Sequence, residues 1–354
     1  MKLTFTTFLA GLLFGSLFLL PANEAQAQDP HYSQFYAAPL QVNPAMTGVF
    51  TGRFRLVANY REQWGSVIDN PFRSAAASFD MRHNVGRSGD FIAYGVNVSR
   101  DEAGLSKYVR TNGALDLSFM KQLNGSRYRT NDQYLVGGFQ LGLGQHQLDF
   151  TNLWFSSQFD LGIEDVNYAL DDNEVFNATT SAYVDMSAGL LWYALFAENA
   201  SFYLGGALHH LNSPKVSFLE NSPQELYTRW LGQVGGELPF NDNLSLLPAV
   251  IVMGQGPSLT SIFGANFRYT NRDWREVAIR AGIWGQGSNQ NNGFNFPSVI
   301  FTAILEMNRV NIGISYDVNA GQLAEPTNSR GAFELSLIYV HPASRRERVA
   351  CPKF

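Results

Sequence analysis

Charge is scarce in this chain. Only 16% of its 354 residues are Asp, Glu, Lys or Arg, against roughly a quarter in an ordinary globular protein. The one cysteine, Cys351, has no second thiol for an internal disulfide, and no Cys/His set has the spacing of a zinc site. A net charge of −5 with no basic stripe speaks against a nucleic-acid partner. After residue 20, no uncharged apolar run approaches the ~20 residues that a helical membrane span needs. A membrane form of this protein must therefore be a closed barrel, since in lipid only helices and barrels satisfy every backbone N–H and C=O.

Glycine (32 residues) and aromatics (14%) are abundant, while mean hydropathy is slightly negative. A β-barrel gives this combination, because half of each strand is polar. Val310, Ile312, Ile314, Tyr316 and Val318 fall on one side of an extended strand, and Asn311, Gly313, Ser315 and Asp317 on the other. Leu115, Leu117 and Phe119 oppose Asp116 and Ser118 in the same way. So do Phe333, Leu335 and Leu337 against Glu334 and Ser336, and Phe263, Ala265, Phe267 and Tyr269 against Gly264, Asn266 and Arg268. A one-residue slip would carry charge into lipid, so register is well specified.

About 14 such strands can be marked between residues 53 and 341, an even number as bacterial single-chain barrels require. The expected fold is all-β, an antiparallel transmembrane β-barrel. Tight, turn-rich links (residues 239–243, 271–274 and 306–308) largely alternate with longer ones (61–71, 149–179, 212–225, 286–296 and 319–330). Outer-membrane barrels keep short turns in the periplasm and long loops outside; on that rule both termini are periplasmic.

Lys2, the apolar run from Leu3 to Leu20, Pro21 and then Ala25-Gln26-Ala27 read as a secretory signal over residues 1–27. Residues 28–52 hold Pro30, Pro39 and Pro44, which disfavour helix interiors and central strands. Their aromatics make them too sticky for a free tail, so this segment is expected as a lumen plug or a docking strap. Residues 342–354 form a basic tail, which either meets periplasmic machinery or frays. Within it Cys351 could be a reactive or pairing thiol.

The order Asp29-Pro30-His31-Tyr32-Ser33-Gln34-Phe35-Tyr36, then Asn43-Pro44-Ala45, then Tyr60-Arg61 and Trp64 resembles the start of the PorP/SprF family. These are outer-membrane proteins associated with type IX secretion and gliding motility in Bacteroidetes. The ending Cys351-Pro352-Lys353-Phe354 is similar to that family's Cys-Pro-Arg-Phe, with Lys353 in place of Arg. The resemblance implies a non-catalytic barrel in the outer membrane that delivers or anchors secreted adhesins at the cell surface. Its implied partners are outer-membrane lipid, type IX cargo and periplasmic components of the secretion system. A channel for small solutes or apolar molecules is the alternative, and the residues leave open whether the lumen is plugged.

No catalytic, cofactor-binding or metal-ligating set is assigned. His209 and His210 are adjacent on an expected strand, so they should point to opposite sides and not chelate together. His146 and His83 accompany no serine or carboxylate motif. Residues 149–179 contain seven carboxylates, among them Asp160, Glu164, Asp165, Asp171, Asp172 and Glu174, and no Lys or Arg. They read as a solvated external loop, with a calcium-dependent docking surface as the sharper alternative. Arg268 and Arg280 should point inward, as lumen packing or as an ion-selecting constriction. Trp64, Trp154, Trp274 and Trp284 fall near expected strand ends, where interfacial aromatic girdles place such residues.

Overall fold

A computed structural model describes residues 29–86, 89–126, 129–149, 153, 158–160, 162, 165–167, 179–197, 199–218, 224–271, 277–290, 293–342 and 351–354. The expected leader, Trp154, Trp274, Glu164, Asp171, Asp172 and Glu174 lie outside these residues.

Strand-period alternation becomes strands throughout the barrel region. They are β1 (Phe54–Gln63), β2 (Phe72–Val85), β3 (Asp90–Ala103), β4 (Tyr108–Ser126), β5 (Arg129–Gln147), the short β6 (Phe159–Asp160) and β7 (Asp165–Val166), β8 (Tyr183–Ala197), β9 (Ala200–His209), β10 (Arg229–Pro239), β11 (Leu244–Gln255), β12 (Ser258–Thr270), β13 (Val277–Gln290), β14 (Gly293–Met307), β15 (Val310–Asn319) and β16 (Arg330–His341). All but β6 and β7 form one closed antiparallel barrel of 14 strands. Its closing seam joins first to last, with Asn59 of β1 opposite Ser336 of β16 and opposite Ala76 of β2. Closure leaves no strand edge unpaired, as lipid demands.

The burial pattern is inverted relative to a soluble protein. Leu115 and Leu117 are 66% and 52% exposed on the outer wall, whereas Asp116 and Glu334 are 3% and 0% exposed inside. Phe263, Phe267 and Tyr269 face out and Asn266 faces in, as the alternation requires. The connection expected over residues 286–296 is tighter than its turn residues suggested, and so is the one between β4 and β5. Strands β4 and β5 run to Ser126 and from Arg129, and β13 and β14 run to Gln290 and from Gly293. Ladder bonds continue there through polar, glycine-rich sequence without alternation, with register shifts at Gln122/Asn124 and Gln286/Ser288.

Candidate functional site

Residues 29–52 run lengthwise through the barrel. Ser33 to Leu40 and Val42 to Phe50 are buried without a break. The segment advances by single turns, Phe35–Ala37, Pro39–Val42 and Pro44–Met46. Proline opens the last two, where its missing N–H would lack a partner anyway. The Asn43 side chain caps the third turn by accepting from the Ala45 N–H at 2.9 Å. Its amide also donates to the wall carbonyls of Leu190 (3.2 Å) and Gly206 (3.3 Å). The wall is bare where the segment presses closest: a Cβ on Gly138 would overlap the Pro44–Ala45 peptide, and one on Gly189 the Asn43 amide.

Four sets of contacts fix the segment. At its start, the Asp29 carboxylate accepts from Arg110 (2.7 Å) and Arg229 (3.3 Å) and pairs with His210 Nε2 (2.6 Å). Its N–H donates to Gln255 Oε1 at 2.8 Å. The second ring nitrogen of His210 meets Asp185 at 2.9 Å. With a carboxylate at each nitrogen, the imidazolium form satisfies both contacts. Burial opposes charge on His210, but Asp29 and Asp185 prevail and raise its pKa to about 9. Burial likewise opposes charge on Asp29, but Arg110, His210 and Arg229 hold its carboxyl well below the usual range.

Next, Glu334 accepts from the N–H groups of Ser33 (2.8 Å) and Gln34 (3.0 Å) and from Arg61 (3.1 Å). Arg61 also donates to Asp317 at 2.8 Å, which accepts from Ser33 Oγ at the same distance. A buried cation, two carboxylates and two backbone amides thus form one network, in which Asp317 Oδ1 is left without a hydrogen-bond partner among the described residues. Below this, Phe35 and Tyr36 pack on Trp284 with ring centroids 5.5 and 5.6 Å apart. Finally, Arg55 pairs with Asp80 at 2.7 Å and donates to the Met46 carbonyl at 3.1 Å, while the Gly48 N–H donates to Asp80 at 2.8 Å. Beside Asp29 there remains a polar cavity of about 80 Å³, room for a few waters.

The last four residues enter the opposite end. Cys351 and Pro352 are buried; Arg82 donates to Cys351 Sγ at 3.1 Å, and Arg280 to the Phe354 carbonyl at 2.6 Å. Asp29 meets His210 and Arg229, which border the long 210–228 connection, and Arg110 and Gln255 at the same end of the barrel, where Gln255 pairs with Arg229. Residues 351–354 meet Arg82, Asn199, Glu237 and Arg280, next to the short turns. Asp29 and residues 351–354 therefore lie at opposite ends of the barrel, whereas the loop lengths led to both termini being expected on one side; the residues before Asp29 lie outside the described ones. Residues 351–354 neither fray nor project, because Cys351, Lys353 and Phe354 all have partners inside the lumen; the rest of the expected tail, 343–350, lies outside the described residues.

Among the other sequence candidates, Tyr60 is turned outward, its hydroxyl donating to Glu62 at 2.9 Å. Trp64 follows β1 with φ 61° and packs at a tilt against Phe72, ring centroids 5.3 Å apart. Pro30 is exposed at the mouth, and His31 Nε2 lies 3.1 Å from the Gln286 amide. Trp284 belongs to the lumen, only 2% exposed, so the girdle reading is corrected for it. Arg280 and Arg268 point inward and share Glu306, which is packing and not a constriction. His209 and His210 are both buried inside, contrary to the opposite-sides expectation. β9 ends at His209, and His210 leaves it with φ +57°. Asp160 and Asp165 accept from their own loop's N–H groups, those of Gly162 and Val166. Among the described residues no three His, Cys, Asp or Glu are placed to hold a metal ion.

Similar solved structures include the TodX monoaromatic hydrocarbon channel deltaS2 mutant (9% identity, 87% of this chain and 94% of that one, TM-score 0.48). Others are the Ralstonia pickettii toluene transporter TbuX (12%, 85% and 91%, 0.45) and Acinetobacter baumannii Omp33 (7%, 82% and 99%, 0.36). At these scores the likeness carries nothing further about this chain. No curated protein matches the sequence. The family model "Type IX secretion system membrane protein PorP/SprF" matches residues 24–339. That span takes in the lumen segment and all but the last two residues of the final strand, and the chain belongs to the PorP/SprF family of type IX secretion system membrane proteins.

Proposed function

We propose that this protein is a non-catalytic mount in the outer membrane that helps deliver or anchor secreted surface proteins, adhesins among them, at the cell surface. The observation that carries the reading is the occupied lumen, joined to family membership. A solute channel needs a continuous aqueous path, and here residues 29–50 and 351–354 take up that space. The longer connections, including the acidic residues 149–179, are then the surface that grips a cargo domain outside. The short-turn end faces the periplasmic parts of the secretion system. The signature positions Ser33, Gln34, Asn43 and Arg61 serve this role by making the barrel solid.

Cross-linking in cells followed by mass spectrometry tests the mount directly. The expected result is an exported surface protein joined to residues of the longer connections and periplasmic components joined to the short turns. In planar bilayers the purified protein should pass no steady current. A constant open-pore conductance, with no secreted protein recovered among the cross-links, would make it a channel instead.

A further inference from the structure

The floor of the lumen, at the short-turn end, is organised around contacts that need no help from the tail. Glu306 of β14 holds Arg280 in place while also accepting from Arg268 at 2.8 Å. Ser245 donates to Glu237 Oε1 at 2.8 Å, and Arg82 donates to the Gly48 carbonyl at 3.2 Å. These contacts fix the side chains before any ligand arrives, which lowers the cost of binding one.

Residues 351–354 engage three of these side chains, Arg82, Glu237 and Arg280. The Cys351 N–H donates to Thr51 Oγ1 at 3.2 Å while Arg82 contacts its sulfur. Lys353 Nζ lies 3.3 Å from Glu237 and 3.2 Å from the Asn199 side-chain carbonyl. The Phe354 ring meets Tyr203 edge-on at a centroid distance of 4.8 Å, and its carbonyl accepts from Arg280. The contacted strands, from β2 to β13, lie on different sides of the barrel, so the four residues cross the lumen.

Charge supplies the specificity. The Glu237 side chain is 3% exposed, against 32% for Lys353. With residues 351–354 seated, Glu237 is closed off from solvent and Lys353 is the cation that faces it, so a ligand carrying a carboxylate in place of that amine would leave two like charges together in the floor. The floor therefore favours a basic residue one position before an aromatic.

We propose that the short-turn floor of the barrel is a peptide-binding site for a Cys-Pro-basic-aromatic sequence, and that residues 351–354 are its tethered ligand. Tethering raises the local concentration of this ligand, so the site is filled in the intact protein even if the free peptide binds weakly. The inference does not depend on which cargo, if any, the barrel holds.

The test uses a chain ending at Ala350, purified in detergent, with heat-modifiable gel migration as the check of folding. A fluorescently labelled Ala-Cys-Pro-Lys-Phe peptide should bind this chain and not the full-length protein. Replacing the peptide's lysine by glutamate should weaken binding by roughly tenfold or more, and Glu237→Lys in the shortened barrel should restore it. Equal binding to both barrels, or none to a folded shortened one, overturns the proposal. Should the shortened chain fail to fold, maleimide labelling of Cys351 in the full chain decides. Slow labelling in the wild type, fast labelling in Lys353→Glu and slow again in the Lys353→Glu/Glu237→Lys pair is expected. Identical rates in all three reject the site.

Discussion

Asp29 shows what a single side chain can do here. It is the common acceptor of Arg110, His210 and Arg229, so Asp29→Ala strands buried cations without a counter-charge. Breaking a buried pair on one side costs about 3–5 kcal/mol, which urea unfolding in micelles should register. The same cluster sets a pH window. His210 has a raised folded pKa of about 9, so its contribution is full below its unfolded value of about 6.5 and lost as pH climbs through 9. Asp29 is shifted the other way, so its contribution is present above about pH 4 and lost as acid reaches its depressed value. Stability should therefore fall between about pH 6.5 and 9 in the wild type, and that step should vanish in His210→Gln. An unchanged alkaline step in the variant would remove His210 from the account. Some residue-scale features were legible in advance. Trp284 shares strand parity with Arg280, expected to face inward, so its lumen position was available from counting alone. His210 was not, because its burial depends on a left-handed residue at the strand end that alternation does not encode.

At the scale of the element, the strands were readable and the lumen segment was not. Alternation of Leu115, Asp116, Leu117, Ser118 and Phe119 fixes a strand and its outer face whatever its neighbours are. Residues 29–52 have no period. Their path is set by partners as distant in sequence as Glu334, and by wall glycines whose use shows only once the segment lies against them. Gly138 and Gly137 make a paired test. A Cβ at Gly138 enters the Pro44–Ala45 peptide, whereas at Gly137 the nearest atom is a Leu190 methyl at 3.8 Å. Gly138→Val should destabilise the segment's docking by about 1–3 kcal/mol, the usual scale of overpacking. Gly137→Val should be nearly neutral. Hydrogen exchange at residues 35–48 should rise in the first variant only; equal protection in both would mean that close approach at Gly138 does not hold the segment.

For the whole molecule, a barrel of 14 strands encloses more space than its wall side chains fill, and the remainder is occupied by the chain's own two ends. Removing residues 30–50 should therefore open a steady pore in planar bilayers, while the strands still give a folded, heat-modifiable band. A silent bilayer from a folded deletion would show that something besides this segment blocks passage. Closure, strand number and the inside–outside pattern could be anticipated from sequence because lipid permits so few solutions. That Asp29 would sit at the end of the barrel opposite residues 351–354 could not, since a loop-length rule fixes only where strands begin and end.

The seam between β1 and β16 zips the earliest barrel strand to the latest, and residues 29–52 are already within the ring it completes. With the ring closed, the amino-terminal stretch can enter or leave only end-on and never sideways, so its passage is a threading step unless it is enclosed as the seam forms.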